Sequence, residues 1–224
     1  MKFNSQWAAA LLSVAAWAAV PSAGAALINR GDGMIYDTAL NVTWLSNADL
    51  AATDSFGVLG IASGGQMTWS TAQDWITAMN ASGYLGYSNW RQPTTQQPDS
   101  SCSVQSGGNS YGSNCTGSEM GELFYNELGG TAGANITVTH NSNLGLFQNV
   151  KDDVYWSGTE YAPGTSAWQF NFANGNQFIN QESTTGFGWA VRSGDVAVVP
   201  IPQAEWLFAS GLLCLMAVSR RKKA

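Results

Sequence analysis

Both ends of this 224-residue chain are apolar runs carrying basic residues at their tips, so the folding problem is confined to what lies between them. At the start, Lys2 precedes the run Trp7 to Val20, then Pro21-Ser22 and the small residues Ala23-Gly24-Ala25. That order of charged start, apolar middle and small-residue exit predicts a secretory signal peptide over residues 1–25, cleaved after Ala25. At the far end, the uncharged stretch Trp206 to Val218 is followed by Arg220-Arg221-Lys222-Lys223. Such a segment reads as a short transmembrane helix with a basic stop, which the positive-inside rule orients tail-in and domain-out. About 170 residues remain, enough for one sizeable core and too few for two ordinary domains.

The middle is poor in charge and rich in aromatics. Only 11% of the whole chain is Asp, Glu, Lys or Arg, while it carries 25 Gly and 10 Trp. Between Ala26 and Pro200 the basic residues are Arg30, Arg91, Lys151 and Arg192, against 14 acids, a balance of −10. A domain so charged repels nucleic acid, anionic lipid and sulfated glycans, and no nucleic-acid partner is expected.

Local patterns place the elements. Met34-Ile35-Tyr36-Asp37 and Asn41-Val42-Thr43-Trp44-Leu45 alternate and read as a hairpin. Ala72, Trp75, Ile76 and Met79 recur at helical spacing within Thr68 to Ser82. Thr116-Gly-Ser-Glu119 is a capping-box pattern ahead of a second helix that buries Met120, Leu123, Phe124 and Leu128 and stops at Gly129-Gly130. Strands are expected at Val154 to Thr159, Ala167 to Phe172, Gln177 to Asn180 and Gly188 to Arg192, with a turn at Asn174-Gly175. The predicted class is α+β: two helices, a small twisted antiparallel sheet and long loops at Gln92 to Cys115 and Gly129 to Asn143. Cys102 and Cys115, 13 positions apart in an exported loop, are expected to form a disulfide, since no neighbouring His or second Cys pair completes a zinc shell.

Catalytic patterns are scarce. The single histidine, His140, has no Cys or acidic neighbour, and no nucleophile elbow, zinc helix or phosphate loop occurs. Glu119 with Glu122, or Asp152 with Asp153, could serve glycosidase chemistry, but a helix cap and a solvated turn account for them, and no enzyme is expected. No cofactor is assigned. Calcium is the one metal held open, with Asp152, Asp153 and Glu160 as candidate ligands. Of the seven tryptophans in the domain at least five are expected in the core; Trp168 and Tyr161, beside Ala162-Pro163-Gly164-Thr165, are the better candidates for an exposed binding face, with Asp152, Asp153 and Glu160 near it.

Two resemblances are specific. Val199-Pro200-Ile201-Pro202-Gln203-Ala204, the apolar run and Arg220-Arg221-Lys222-Lys223 resemble the VPxPxA variant of the PEP-CTERM sorting signal over residues 197–224. The resemblance implies recognition and removal by an exosortase, a membrane protease of exopolysaccharide-producing Gram-negative bacteria. Within the domain, residues 26–196, four segments fall in order: Trp90-Arg91-Gln92-Pro93-Thr94, Gly117-Ser118-Glu119-Met120-Gly121-Glu122-Leu123, Tyr155-Trp156-Ser157-Gly158-Thr159-Glu160-Tyr161 and Trp189-Ala190-Val191-Arg192. Together with Ile35 to Leu45 they resemble the Lcl C-terminal domain family, named for a collagen-like bacterial adhesin, which usually has Leu at the position of Gln92. That likeness implies a C-type lectin-like or formylglycine-generating-enzyme-like fold and binding at a surface, in some members to glycans. The expected protein is therefore an exported surface or biofilm-matrix module that adheres, to a glycan or exopolysaccharide, without catalysis. The rivals are a carbohydrate-active enzyme and a purely structural matrix protein.

Overall fold

The computed structural model describes residues 26–161 and 164–196. The signal peptide, the sorting residues Val199, Pro200, Pro202, Arg220 and Arg221, and the transmembrane segment lie outside the described residues. Among those described, no helix is long and apolar enough to cross a membrane.

The class is α+β, built on two small sheets and a separate hairpin. The first sheet contains β1 (Leu27–Gly31), β2 (Met34–Asp37), β3 (Val42–Leu45) and β11 (Val191–Ser193), in that order and antiparallel. The expected hairpin is β2–β3, with Tyr36 opposite Thr43. Its connection is held by the buried Asp37, whose Oδ1 accepts from the N–H groups of Ala39 and Leu40 at 3.0 and 3.1 Å. The edge strand β1 has no counterpart in the sequence expectations.

The second sheet orders β4 (Gln66–Met67), β10 (Gly186–Phe187), β7 (Val154–Tyr161), β8 (Ser166–Asn171) and β9 (Asn176–Gln181). The β8–β9 turn closes at Asn174-Gly175, where Gly175 has φ +74°, a left-handed conformation that favours glycine. Of the strand expected from Gly188 to Arg192, only Val191 and Arg192 lie in a strand. Gly186-Phe187 pairs in the second sheet, whereas Val191–Ser193 pairs in the first, because residues 188–190 carry the chain from one sheet to the other.

The first helix, α1 (Trp69–Ser82), matches the expected span, with Thr68 as its cap and Ala72, Trp75, Ile76 and Met79 buried. The second is a single turn, α2 (Glu119–Glu122), which widens into a π-helical turn over Leu123–Glu127, where Leu128 N–H reaches the Leu123 carbonyl at 2.8 Å. Its expected buried residues are buried, but the capping box of Thr116 and Glu119 does not form: the Glu119 N–H donates to the Thr94 carbonyl and the Thr116 N–H to the Ser101 hydroxyl, and the helix starts after Ser118. Gly121 permits α2 to press on the Cys115 carbonyl, since a Cβ there would lie 1.9 Å from that oxygen.

The long loop after Gln92 contains the hairpin β5 (Val104–Ser106) and β6 (Asn109–Tyr111), tied to β9 by the Gly112–Gln177 bridge. Cys102 and Cys115 are joined as a disulfide. Closing a loop of that length stabilises the fold by roughly 3 kcal/mol in the chain-entropy model.

Six of the seven tryptophans, all but the half-buried Trp69, are buried. The indole N–H groups of Trp44, Trp69, Trp75, Trp90, Trp156 and Trp189 each find an acceptor, which makes burying so many indoles tolerable. Gln92 is the contrary case. It is 2% exposed, and neither its Oε1 nor its Nε2 has a hydrogen-bond partner among the described residues. Replacing such an amide with an apolar group of similar size removes a desolvation cost of about 1–3 kcal/mol. Gln92→Leu is therefore expected to raise the urea midpoint by the equivalent of about 1 kcal/mol or more; an unchanged or lower midpoint contradicts this account.

Candidate functional site

Three segments distant in sequence meet at the start of α1. The Trp69 N–H donates to the Glu182 carbonyl at 3.1 Å, and the Glu182 N–H donates to the Thr165 carbonyl at 2.9 Å, joining the helix to the β9–β10 and β7–β8 turns. The Trp69 indole also donates to the Ser157 carbonyl at 2.8 Å. The β9–β10 turn is closed by Thr184, whose N–H and hydroxyl both donate to the Gln181 carbonyl. Between the three segments opens a cavity of about 570 Å³ lined by Thr68, Ser70, Thr165, Gln181, Glu182 and Ser183.

The lining is hydroxyl, amide and carboxylate, with no basic and no aromatic side chain among the described residues. Thr68 Oγ1 is taken up with the Thr71 hydroxyl and the Thr71 N–H. Glu182 Oε1 is buried and has no hydrogen-bond donor among the described residues. These residues were not singled out from the sequence as ligand contacts, although the run Gln181-Glu182-Ser183-Thr184-Thr185 is an available signal of a polar turn.

The structure does not gather the residues expected to bind. Asp152 is held by Thr137, whose N–H reaches Oδ1 at 3.0 Å and whose hydroxyl reaches Oδ2. Asp153 accepts from the Val154 N–H. Glu160 lies near the other end of β7, where it pairs with Ala167 while Val154 pairs with Asn171; those four residues of β8 span roughly 13 Å at about 3.3 Å each, so these three carboxylates cannot share a calcium ion. Trp168 is no exposed platform: it is 2% exposed, because it points into the protein from β8, with Tyr161 edge-on to it at 6.1 Å. Tyr161 itself is half-buried. The one group of metal-ligating residues among those described, Asp99, Cys102 and Cys115, has both sulfurs in the disulfide and its carboxylate bonded to Ser101 and Gly117.

The domain's four cations are all engaged. Arg91 grips Glu119 through two bonds of 2.6 and 2.7 Å, and Glu119 also accepts from the Thr94 N–H. Arg30 pairs with Asp195, and Lys151 with the buried Asp49 at 3.0 Å. Arg192 stacks over Tyr87 at 4.0 Å and donates to Asn89.

One carboxyl stands apart from those considered from the sequence. Glu127 ends the π-helical turn, is 3% exposed, and has an Oε1 without a partner. Burial, with Asp37 and then Glu122 adding like charge, pushes its pKa up to about 7. Burial likewise raises Asp37, Asp49 and Glu122. His140 is exposed, and its Nδ1 contacts only the Asn141 carbonyl.

Taken with the fold, this defines a disulfide-stapled α+β domain with two small sheets and an open polar cavity where their turns meet a helix start. The chain belongs to the Lcl C-terminal domain family, whose model matches residues 33–192. No curated protein matches it.

Glu127 makes stability depend on pH. A carboxyl that keeps its proton to about pH 7 when folded, against 4.5 when unfolded, favours the folded state fully below 4.5, and the advantage is lost as pH rises through about 7. Asp37, Asp49 and Glu122 act in the same direction. The protein is expected to be more stable at pH 5 than at pH 8. Glu127→Gln should match the parent near pH 4.5 and exceed it by about 2 kcal/mol at pH 8 in urea unfolding; a parallel pH profile would refute the assignment.

Proposed function

We propose that this is an exported cell-surface or extracellular-matrix protein whose domain binds glycan, without catalysis, in the polar cavity at the start of α1. The observation that carries the reading is the cavity's lining of hydroxyl, amide and carboxylate groups. Sugar hydroxyls both donate and accept, and groups of this kind, converging on an open concavity, are what orient such a ligand. The family, in the C-type lectin-like or formylglycine-generating-enzyme-like reading of its fold, is compatible with long loops carrying a binding site over small sheets.

Electrostatics narrows the ligand. With Arg30, Arg91, Lys151 and Arg192 each held by a partner within the domain, no basic side chain among the described residues is free to grip sulfate, uronate or nucleic-acid phosphate. Glu119, the acid most available to a glycosidase reading, is clamped by Arg91 and the Thr94 N–H, which favours a binder over an enzyme. The disulfide suits an oxidising compartment, in keeping with a signal peptide over residues 1–25. The tail at 197–224 supplies the exosortase as processing partner and a membrane-anchored precursor, leading to the cell surface or a biofilm matrix.

Two measurements test this. Disulfide-intact protein on a glycan array, run with calcium and again with chelator, is expected to show saturable binding to uncharged or cationic glycans in both conditions and none to sulfated ones. Ser183→Tyr, which fills the cavity mouth, should weaken that binding at least tenfold; silence across the array overturns the reading in favour of a structural matrix protein. Separately, protein tagged in an exosortase-positive host should lose the Arg220–Lys223 tail. Retention of that tail in the inner membrane sinks the sorting assignment.

A further inference from the structure

We infer that the staple in the long loop has a second, metal-held form: with the disulfide reduced, Cys102, Cys115 and Asp99 take one zinc ion. The two sulfurs and a carboxylate oxygen of Asp99 all lie within 4.8 Å of one another, and the three residues are buried. Around a tetrahedral zinc with Zn–S of about 2.3 Å and Zn–O of about 2.0 Å, neighbouring ligand atoms stand roughly 3.3–3.8 Å apart. The sulfurs reach that spacing by parting once their bond is broken, while the carboxylate is already beside them. Two thiolates with one carboxylate form a donor set that suits zinc.

The surroundings hold these donors in place. Asp99 Oδ1 accepts from the Ser101 N–H at 3.0 Å and Oδ2 from the Gly117 N–H at 2.9 Å, the kind of outer support that orients a ligating carboxylate. Its backbone is fixed too, since the Asp99 N–H donates to the Ser110 hydroxyl at 2.9 Å and its carbonyl accepts from the Gln105 amide at 2.8 Å. The Gln177 amide nitrogen stands 3.8 Å from Cys102 Sγ, which puts a donor beside a developing thiolate. The Gly112 carbonyl, 3.5 Å from Cys115 Sγ, offers an oxygen for the fourth position. Gly112 and Gln177 also exchange two backbone bonds of 2.8 Å, so the loop keeps a noncovalent tie to β9 when the disulfide opens.

The exchange balances with a dithiol as reductant. It gives two electrons to the disulfide, closes to a disulfide itself, and leaves two Cys thiols; zinc then displaces one proton from each thiol. The ion offsets the negative charge of two thiolates and a buried carboxylate. Either link closes the same loop, so reduction in the presence of zinc leaves the β5–β6 hairpin fastened.

Protein reduced with a phosphine and desalted without oxygen, titrated with zinc against a chromophoric chelator and separately with cobalt, tests this beside the oxidised protein. The reduced protein is expected to bind one zinc per chain, and its cobalt form to show the visible bands of tetrahedral coordination with thiolate charge transfer. Oxidised protein should bind none at the same concentrations. Asp99→Asn, whose fold is checked by an unchanged circular dichroism spectrum of the oxidised form, should weaken zinc at least about tenfold, since loss of a ligand's support alone costs that much. Zinc should also raise the melting temperature of the reduced parent towards that of the oxidised one. No zinc on the reduced protein would overturn the inference. Equal affinity in the parent and Asp99→Asn would overturn it as well, because two thiols alone would then suffice. One zinc per two chains, or equal binding by the oxidised protein, would place the metal elsewhere and overturn it too.

Discussion

Trp189 is the point on which the two sheets depend. It lies in the three-residue crossing between β10 and β11 and is fully buried, with the rings of Trp44, Phe147, Tyr155 and Phe172 at 5.1 to 5.7 Å. Its indole N–H donates to the Leu45 carbonyl at 2.7 Å, and next to it the Ala190 carbonyl accepts from the Leu45 N–H. One side chain therefore packs on residues of both sheets while its own segment passes between them. Neither small sheet could bury enough apolar surface alone; joined through this aromatic cluster they share one core.

The charges follow from the same economy of surface. A chain with so few ionisable groups keeps several of its acids inside, and it does so in two ways. Glu119 and Asp49 are neutralised by Arg91 and Lys151, while Asp37 is satisfied by two backbone N–H groups and the Trp44 indole. Glu127 has no such partner, and burial leaves it holding its proton near neutrality. The Arg91–Glu119 clamp also has an architectural effect. With Thr94 and Glu119 exchanging backbone and side-chain bonds, and Arg91 paired to Val191, it fastens the start of α2 to the last strand of the first sheet.

What could be read from the sequence was what local pattern determines. The β2–β3 hairpin, α1, the Asn174-Gly175 turn and the disulfide were all legible there. The failures share a cause. Gly188 to Arg192 has strand character throughout, yet only its end pairs, with β3 more than 100 residues away, while Gly186-Phe187 before it joins the other sheet. Trp168 looked exposed because a polar turn precedes it, but β8 lies between β7 and β9 and is buried on both faces from Ala167 to Phe170. Asp152, Asp153 and Glu160 are close in number and far apart in space, since an extended strand separates them. The cavity was invisible for the converse reason: Thr68, Thr165 and Glu182 are remote in sequence and brought together only by backbone bonds between turns.

The unsatisfied polar groups differ in what surrounds them, and that difference separates a cost from a capacity. Gln92 is sealed in the interior, where no ligand can reach its amide, so its missing bonds only destabilise the fold. Glu127 is sealed as well, but it can neutralise itself by taking a proton. Glu182 lines the polar cavity at the start of α1, yet its Oε1 is itself buried and without a donor among the described residues.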